Sequence, residues 1–211
     1  MQAIDGIFYI VILIMSVVVH EVAHGYAAYL LGDNTARLSG RLTLNPLKHL
    51  DPMGSVIIPL LLYFSTQGSF LIGWARPVPY NEANLKDQKR GTLIVAIAGI
   101  IANLTIALFF GLMIRFAPFI ISGSLLGPFF KITTIIVVLN LVLALFNLIP
   151  IPPLDGSKVL FSFLPFKYKY IENFLEKWGM IALLFFIIFL WSKIYPIIFI
   201  TFHLITGVSL F

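Results

Sequence analysis

The sequence predicts an all-α polytopic membrane protein. It has about five or six apolar helical segments, one of them re-entrant, and a small β-hairpin near residues 35–44. Three observations carry this. Of the 211 residues 60% are hydrophobic and 11% charged, where soluble domains carry about 25% charged residues. Mean hydropathy is +1.00. The apolar residues form continuous runs, where a transmembrane barrel would alternate polar and apolar over strands of ~10 residues. Helices, which satisfy their own backbone in lipid, fit such runs.

The first span is expected over residues 7–31, stopped by Gly32-Asp33-Asn34. The amino-terminal stretch lacks a basic region and a small-residue cleavage site, so this span is expected to be retained. Residues 35–44 alternate loosely, with Ala36, Leu38, Gly40, Leu42 and Leu44 against Arg37, Ser39, Arg41 and Thr43; hence the expected hairpin. The run 56–72 contains Pro59 and Gly68 and is short for a full crossing. Gly73-Trp74-Ala75-Arg76-Pro77-Val78-Pro79 is too rich in proline for helix and suits an extended edge. Clear spans follow over 92–114 and 132–149, the second ended by Pro150. Residues 167–177 form an amphipathic or loop segment at the interface. The runs 180–191 and 197–211, divided by Lys193 and Pro196, suit either one kinked helix or a tight hairpin.

Within the first span lies His20-Glu21-Val22-Ala23-His24. Ionisable groups at membrane depth are costly and mark functional sites. Histidines at i and i+4 share a helix face and can meet one metal ion, with Glu21 beside them to take a proton from an activated water. A catalytic zinc takes three protein ligands and keeps one position open, so a third ligand is needed from elsewhere. There is no cysteine to supply it. The remaining histidines are His49, in a loop, and His203, in the last apolar run. Among the acids Asp5, Asp51, Asp155, Glu172 and Glu176, Asp155 stands out: it follows a helix broken by Pro150, where non-helical backbone can line a cavity. The competing role for Asp155 is a plain N-cap of a helix over 157–163.

Topology bears on the third ligand. If every apolar run crossed, Asp155 would emerge on the face opposite to the exit of the first span. If the run 56–72 re-enters instead, Asp155 returns to the side of His24. Charge favours the second arrangement. It gathers Arg37, Arg41, Lys48, Arg76, Lys86, Lys89, Arg90, Lys158, Lys167 and Lys169 on one face and leaves Arg115, Lys131 and Lys193 at the other. The positive-inside rule makes the rich face cytoplasmic. The net charge of +5 is therefore topological, scattered over short loops, and implies no nucleic-acid partner.

The motifs HEVAHG (20–25), GD (32–33), HLDPMG (49–54), GWARPVP (73–79), AGIIAN (98–103) and NLIPIPPLDG (147–156) occur in that order. With them the chain resembles the site-2 protease family of intramembrane zinc metalloproteases, in a compact form without a PDZ or CBS domain. The resemblance implies one Zn(2+) per chain held by His20, His24 and Asp155, with Glu21 as general base on a zinc-activated water. It implies that Asn147, eight residues before Asp155, assists at the carbonyl or oxyanion. Asn103 matches the Asn of the family's G-x-x-x-N element, where it and Gly99 would allow close packing and a polar contact near the site. The family often has Pro after that Gly; here it is Ile100.

The expected activity is zinc-dependent endoproteolysis of transmembrane substrates within or near the bilayer. It would be carried by a single transmembrane protease domain over 1–211, with the catalytic core at about 7–163 and C-terminal helical segments at about 174–211. The expected partners are a transmembrane protein or peptide substrate, the lipid bilayer and a regulatory membrane protein. The expected location is the prokaryotic cytoplasmic membrane, with the active site nearer the cytoplasmic face. A metal transporter would also place His and acidic residues in spans, yet no inverted repeat is visible. A scaffold that kept the fold would have no need of Glu21.

Overall fold

A computed structural model of the chain describes residues 3–65, 75–120 and 123–209. Helix α1 (Ala3–Leu30) ends at Gly32, whose φ of 111° is the left-handed conformation that terminates a helix without Cβ strain. A short helix α2 (Thr35–Leu38) follows, then single turns at Pro46–Lys48 and Pro52–Ile57, and α3 (Ile58–Ser65). After an extended stretch come α4 (Gln88–Ile120), α5 (Leu126–Asn147) and α6 (Asp155–Phe163). Helices α7 (Lys169–Phe185) and α8 (Trp191–Thr206) are joined through a π-helical turn, Phe186–Leu190.

Among the described residues, four helical stretches are long and apolar enough to cross a membrane: Phe8–Leu30, Gln88–Phe119, Leu126–Asn147 and Lys169–Thr206. The last resolves the choice over the C-terminal runs: they form one continuous helix through the π turn, with Pro196 inside α8, and no hairpin. The run 56–72, expected to re-enter, lies partly outside the described residues. Its described part is the end of the turn Pro52–Ile57 and α3, whose 8 residues rise only about 12 Å against a hydrocarbon core of about 30 Å.

The expected hairpin at 35–44 is not formed; among the described residues there is no strand. Thr35–Leu38 is helical, Gly40 turns the chain at φ 65°, and the Arg41 amide closes back onto the Ala36 carbonyl. The alternation has another cause. Ser39 Oγ donates to the Thr35 carbonyl, and the buried Arg41 guanidinium serves the carbonyls of Lys48, Arg76 and Pro77. The amides of residues 38–41 bond back within their own turn, so no partner strand is needed.

Helix α4 is the hub, packing against α1, α5, α6 and α8. Its residues Gly99, Asn103, Ala107 and Gly111 recur every fourth position and so share one face. Small residues on such a face let membrane helices approach closely. At Gly111 a Cβ would collide with Ile205 of α8; at Gly99 it would collide with α1. Further along, Ala107 and Ile114 of α4 join Val137 and Leu141 of α5 and Ile198 and Phe202 of α8 in a buried apolar cluster. On the other side Ala28, Leu85 and Val95 form a second cluster that holds α1 against α4.

Candidate metal centre

Helix α1 presents His20 and His24 one turn apart toward α4, and the first residue of α6 brings Asp155 to them. His20 Nε2, His24 Nε2 and Asp155 Oδ2 are mutually 3.0 Å apart. All three residues are buried, at 6%, 8% and 8% exposure. Asp155 makes no capping bond, so the competing reading of this residue fails: α6 is led by Leu154, whose carbonyl takes the amide and hydroxyl of Ser157.

The far nitrogens of both rings are engaged. His24 Nδ1 donates to the Val95 carbonyl at 2.7 Å, and His20 Nδ1 donates to Asn103 Oδ1 at 2.8 Å. A carbonyl only accepts, so His24 carries a proton on Nδ1, and in the neutral ring its Nε2 is a bare lone pair. With both rings neutral, two imidazole lone pairs and a carboxylate oxygen are crowded together at 3.0 Å and repel unless a cation joins them. The trio is a group able to hold a metal ion, and its two nitrogens and one oxygen suit zinc.

Glu21, next to His20, is half-buried. Its Oε2 accepts the Val78 amide at 2.9 Å, and Oε1 has no protein partner among the described residues. The extended stretch 75–81 that supplies this amide is tied down along its length. The Arg76 amide donates to the His49 carbonyl, Arg41 holds the Arg76 and Pro77 carbonyls, and the Asn81 amide donates to Asp33 Oδ2 at 2.7 Å. Asp33 is fully buried and also accepts from Thr35 and from Asn84. Burial alone would raise its pKa, but these hydrogen bonds outweigh that and hold it below the ordinary carboxylate value. Of the GWARPVP motif, Gly73 and Trp74 lie outside the described residues.

The chain is 39% identical over 181 residues to "Putative zinc metalloprotease YwhC" of Bacillus subtilis, covering 84% of this chain and 78% of that protein. The chain belongs to peptidase family M50, the site-2 proteases. The model of that family matches residues 124–190, which include Asp155. "Putative zinc metalloprotease Rip2" of Mycolicibacterium smegmatis is 35% identical over 159 residues, covering 72% of this chain and 56% of that protein. No solved structure matches the chain. This M50 protein is a zinc-dependent peptidase, and its four apolar helices make it a membrane protein.

The other expected site residues fall in different places. Asn103 makes the anticipated polar contact, on His20 itself. Asn147 does not join the trio: its Nδ2 donates to the Leu143 carbonyl of its own helix at 2.9 Å. Asn140 was not singled out by sequence, yet it is fully buried behind Asn103 and bonded to it. Its sequence signal, an Asn within an apolar span, equals that of Asn147.

Gly99 explains how α4 can lie so close to the trio. A Cβ there would stand 2.6 Å from His20 Cε1 and 2.6 Å from His24 Nε2. Gly99→Ala is therefore expected to push both rings out of register and weaken zinc binding by about 5- to 150-fold, through an overpacking cost of about 1–3 kcal/mol. Competition with a chromogenic chelator measures this; unchanged affinity would mean that the rings tolerate the methyl group.

Proposed function

We propose that this M50 peptidase is an endopeptidase that hydrolyses peptide bonds of transmembrane substrates within or near the bilayer. In this reading His20, His24 and Asp155 hold one zinc ion and Glu21 is the general base. The observation that carries it is the convergence of two imidazole nitrogens and a carboxylate oxygen at 3.0 Å inside a chain of membrane-spanning helices.

Zinc there would polarise the scissile carbonyl and make a water acidic enough to deprotonate near neutral pH. The chain's own residues do the rest. The Val78 amide fixes the Glu21 carboxylate by one oxygen, which leaves Oε1 to take the proton from water and return it to the leaving amine. Asn147 spends one N–H on Leu143; the second N–H of the same amide remains to be given to a developing oxyanion. A helical substrate hides its carbonyls in i to i−4 bonds and must unwind locally. The stretch 75–81, already extended and anchored at Asp33 and Arg41, is suited to pair with the unwound segment.

The basic loops favour the prokaryotic cytoplasmic membrane with the site nearer the cytoplasm. Asp155, eight residues after α5, meets His24, six residues before the end of α1, which supports a shared side for both helix ends.

The test is reconstitution in proteoliposomes with a single-span peptide substrate. Cleavage within the span or at its edge is expected, abolished by chelation and restored by zinc. Cleavage confined to soluble peptides would sink the substrate assignment. Zinc uptake into the vesicles without proteolysis would favour a transporter.

A further inference from the structure

Behind the trio lies a line of buried amides. Asn140 of α5 is 0% exposed, and its Nδ2 donates to the Ile136 carbonyl at 2.8 Å and to Ser16 Oγ of α1 at 2.9 Å. The Ile136 carbonyl only accepts, so it dictates which end of the Asn140 amide is nitrogen. Asn140 Oδ1 must then face the other way, where it accepts from Asn103 Nδ2 at 3.1 Å. That in turn leaves Asn103 Oδ1 for His20 Nδ1 at 2.8 Å. An oxygen there requires a proton on His20 Nδ1, so the neutral ring presents a bare Nε2 to His24 and Asp155. Asn103 is also 0% exposed, so bulk water cannot substitute for either partner.

We infer that Asn140 is a positioning residue that fixes the tautomer of His20 through Asn103, and so sets zinc affinity from a helix that carries none of the trio. The inference rests on the zinc assignment above. Each amide link is a choice between two nearly isosteric orientations, and the backbone carbonyl of Ile136 settles all of them. Without the Asn140 oxygen, Asn103 is free to turn over and present Nδ2 to His20. His20 Nδ1 would then have to accept, its proton would move to Nε2, and the lone pair needed for metal would be lost. Outer partners of metal-binding histidines act in this way and their loss costs about 10–100-fold in metal affinity.

The test is zinc affinity by chelator competition in the full chain in detergent. Asn140→Leu is expected to weaken binding by about 10–100-fold. Adding Asn103→Asp to that variant is expected to recover most of the loss. An ionised carboxylate has no donor face, so it accepts from His20 Nδ1 however it turns. A role limited to tying helices together would not be rescued by a change at Asn103. Should Asn140→Leu not fold, Asn140→Ala carries the same expectation and the same rescue. Wild-type affinity in the Asn140 variant, or a double variant as weak as the single one, would overturn the inference. Asp155→Ala in the same assay separates the two levels: if it too binds zinc normally, the zinc assignment itself has failed.

Discussion

Glu21→Gln is expected to keep one zinc per chain and to lose cleavage by at least about 10²–10⁴-fold, the usual contribution of a positioned general base. The two parts of this result have separate causes. The proposed ligand atoms belong to His20, His24 and Asp155, so the substitution leaves them untouched. Gln is isosteric with Glu, and its carbonyl can still accept the Val78 amide, so the stretch 75–81 keeps its anchor beside the pentad. What disappears is the basic carboxylate beside His20. Substrate should therefore bind with an unchanged KM while kcat collapses, and the inactive protein should retain substrate in native membranes. Metal analysis and single-turnover cleavage check both halves. Cleavage at the wild-type rate would remove Glu21 from the mechanism.

The spans and the trio were legible in the sequence because both are costly to misplace. A continuous apolar run has few alternatives to a membrane helix, and two histidines with a glutamate inside such a run have few alternatives to a shared partner. Asp155 stood out among the acids because Pro150 breaks the helix before it, and the resemblance implied it as the third ligand. Other features depended on relations that a linear reading does not contain. The alternation at 35–44 imitates a strand, but it reflects Ser39 and Arg41 turned onto backbone carbonyls, one of them 36 residues away at Pro77. Asn140 and Asn147 are seven residues apart, about two helical turns, and so share a face of α5. Which of them stands against Asn103 is decided by how deeply α5 sits against α4, and that depth is a property of packing. The same holds for Gly99, whose missing side chain matters only because two imidazole rings fill the space.

Asp155→Ala is expected to weaken zinc binding by more than the ~10–100-fold that loss of an outer partner costs, and to abolish cleavage with it. Two structural roles could imitate part of this effect, and each has a limited size. As an acidic residue in the first turn of α6, Asp155 interacts with the helix dipole, worth about 0.3–1 kcal/mol. As a partner of His20 and His24 it makes ion pairs only if a ring is protonated. Loss of the dipole interaction would lower stability equally with and without zinc, and loss of the ion pairs would lower only the metal-free stability, because zinc displaces the ring proton. Alanine is a good helix former, and Leu154, Ser157 and the Leu154 carbonyl still start α6, so the metal-free fold should change little. Loss of a ligand acts only on the loaded protein. Zinc at a hundred times its dissociation constant stabilises the wild type by about 2.7 kcal/mol, and that gain should vanish from Asp155→Ala while the metal-free unfolding temperature holds. Thermal unfolding with and without zinc measures the difference directly. An equal drop in both conditions would make Asp155 a structural residue, and unchanged zinc stoichiometry and affinity would end its assignment as the third ligand.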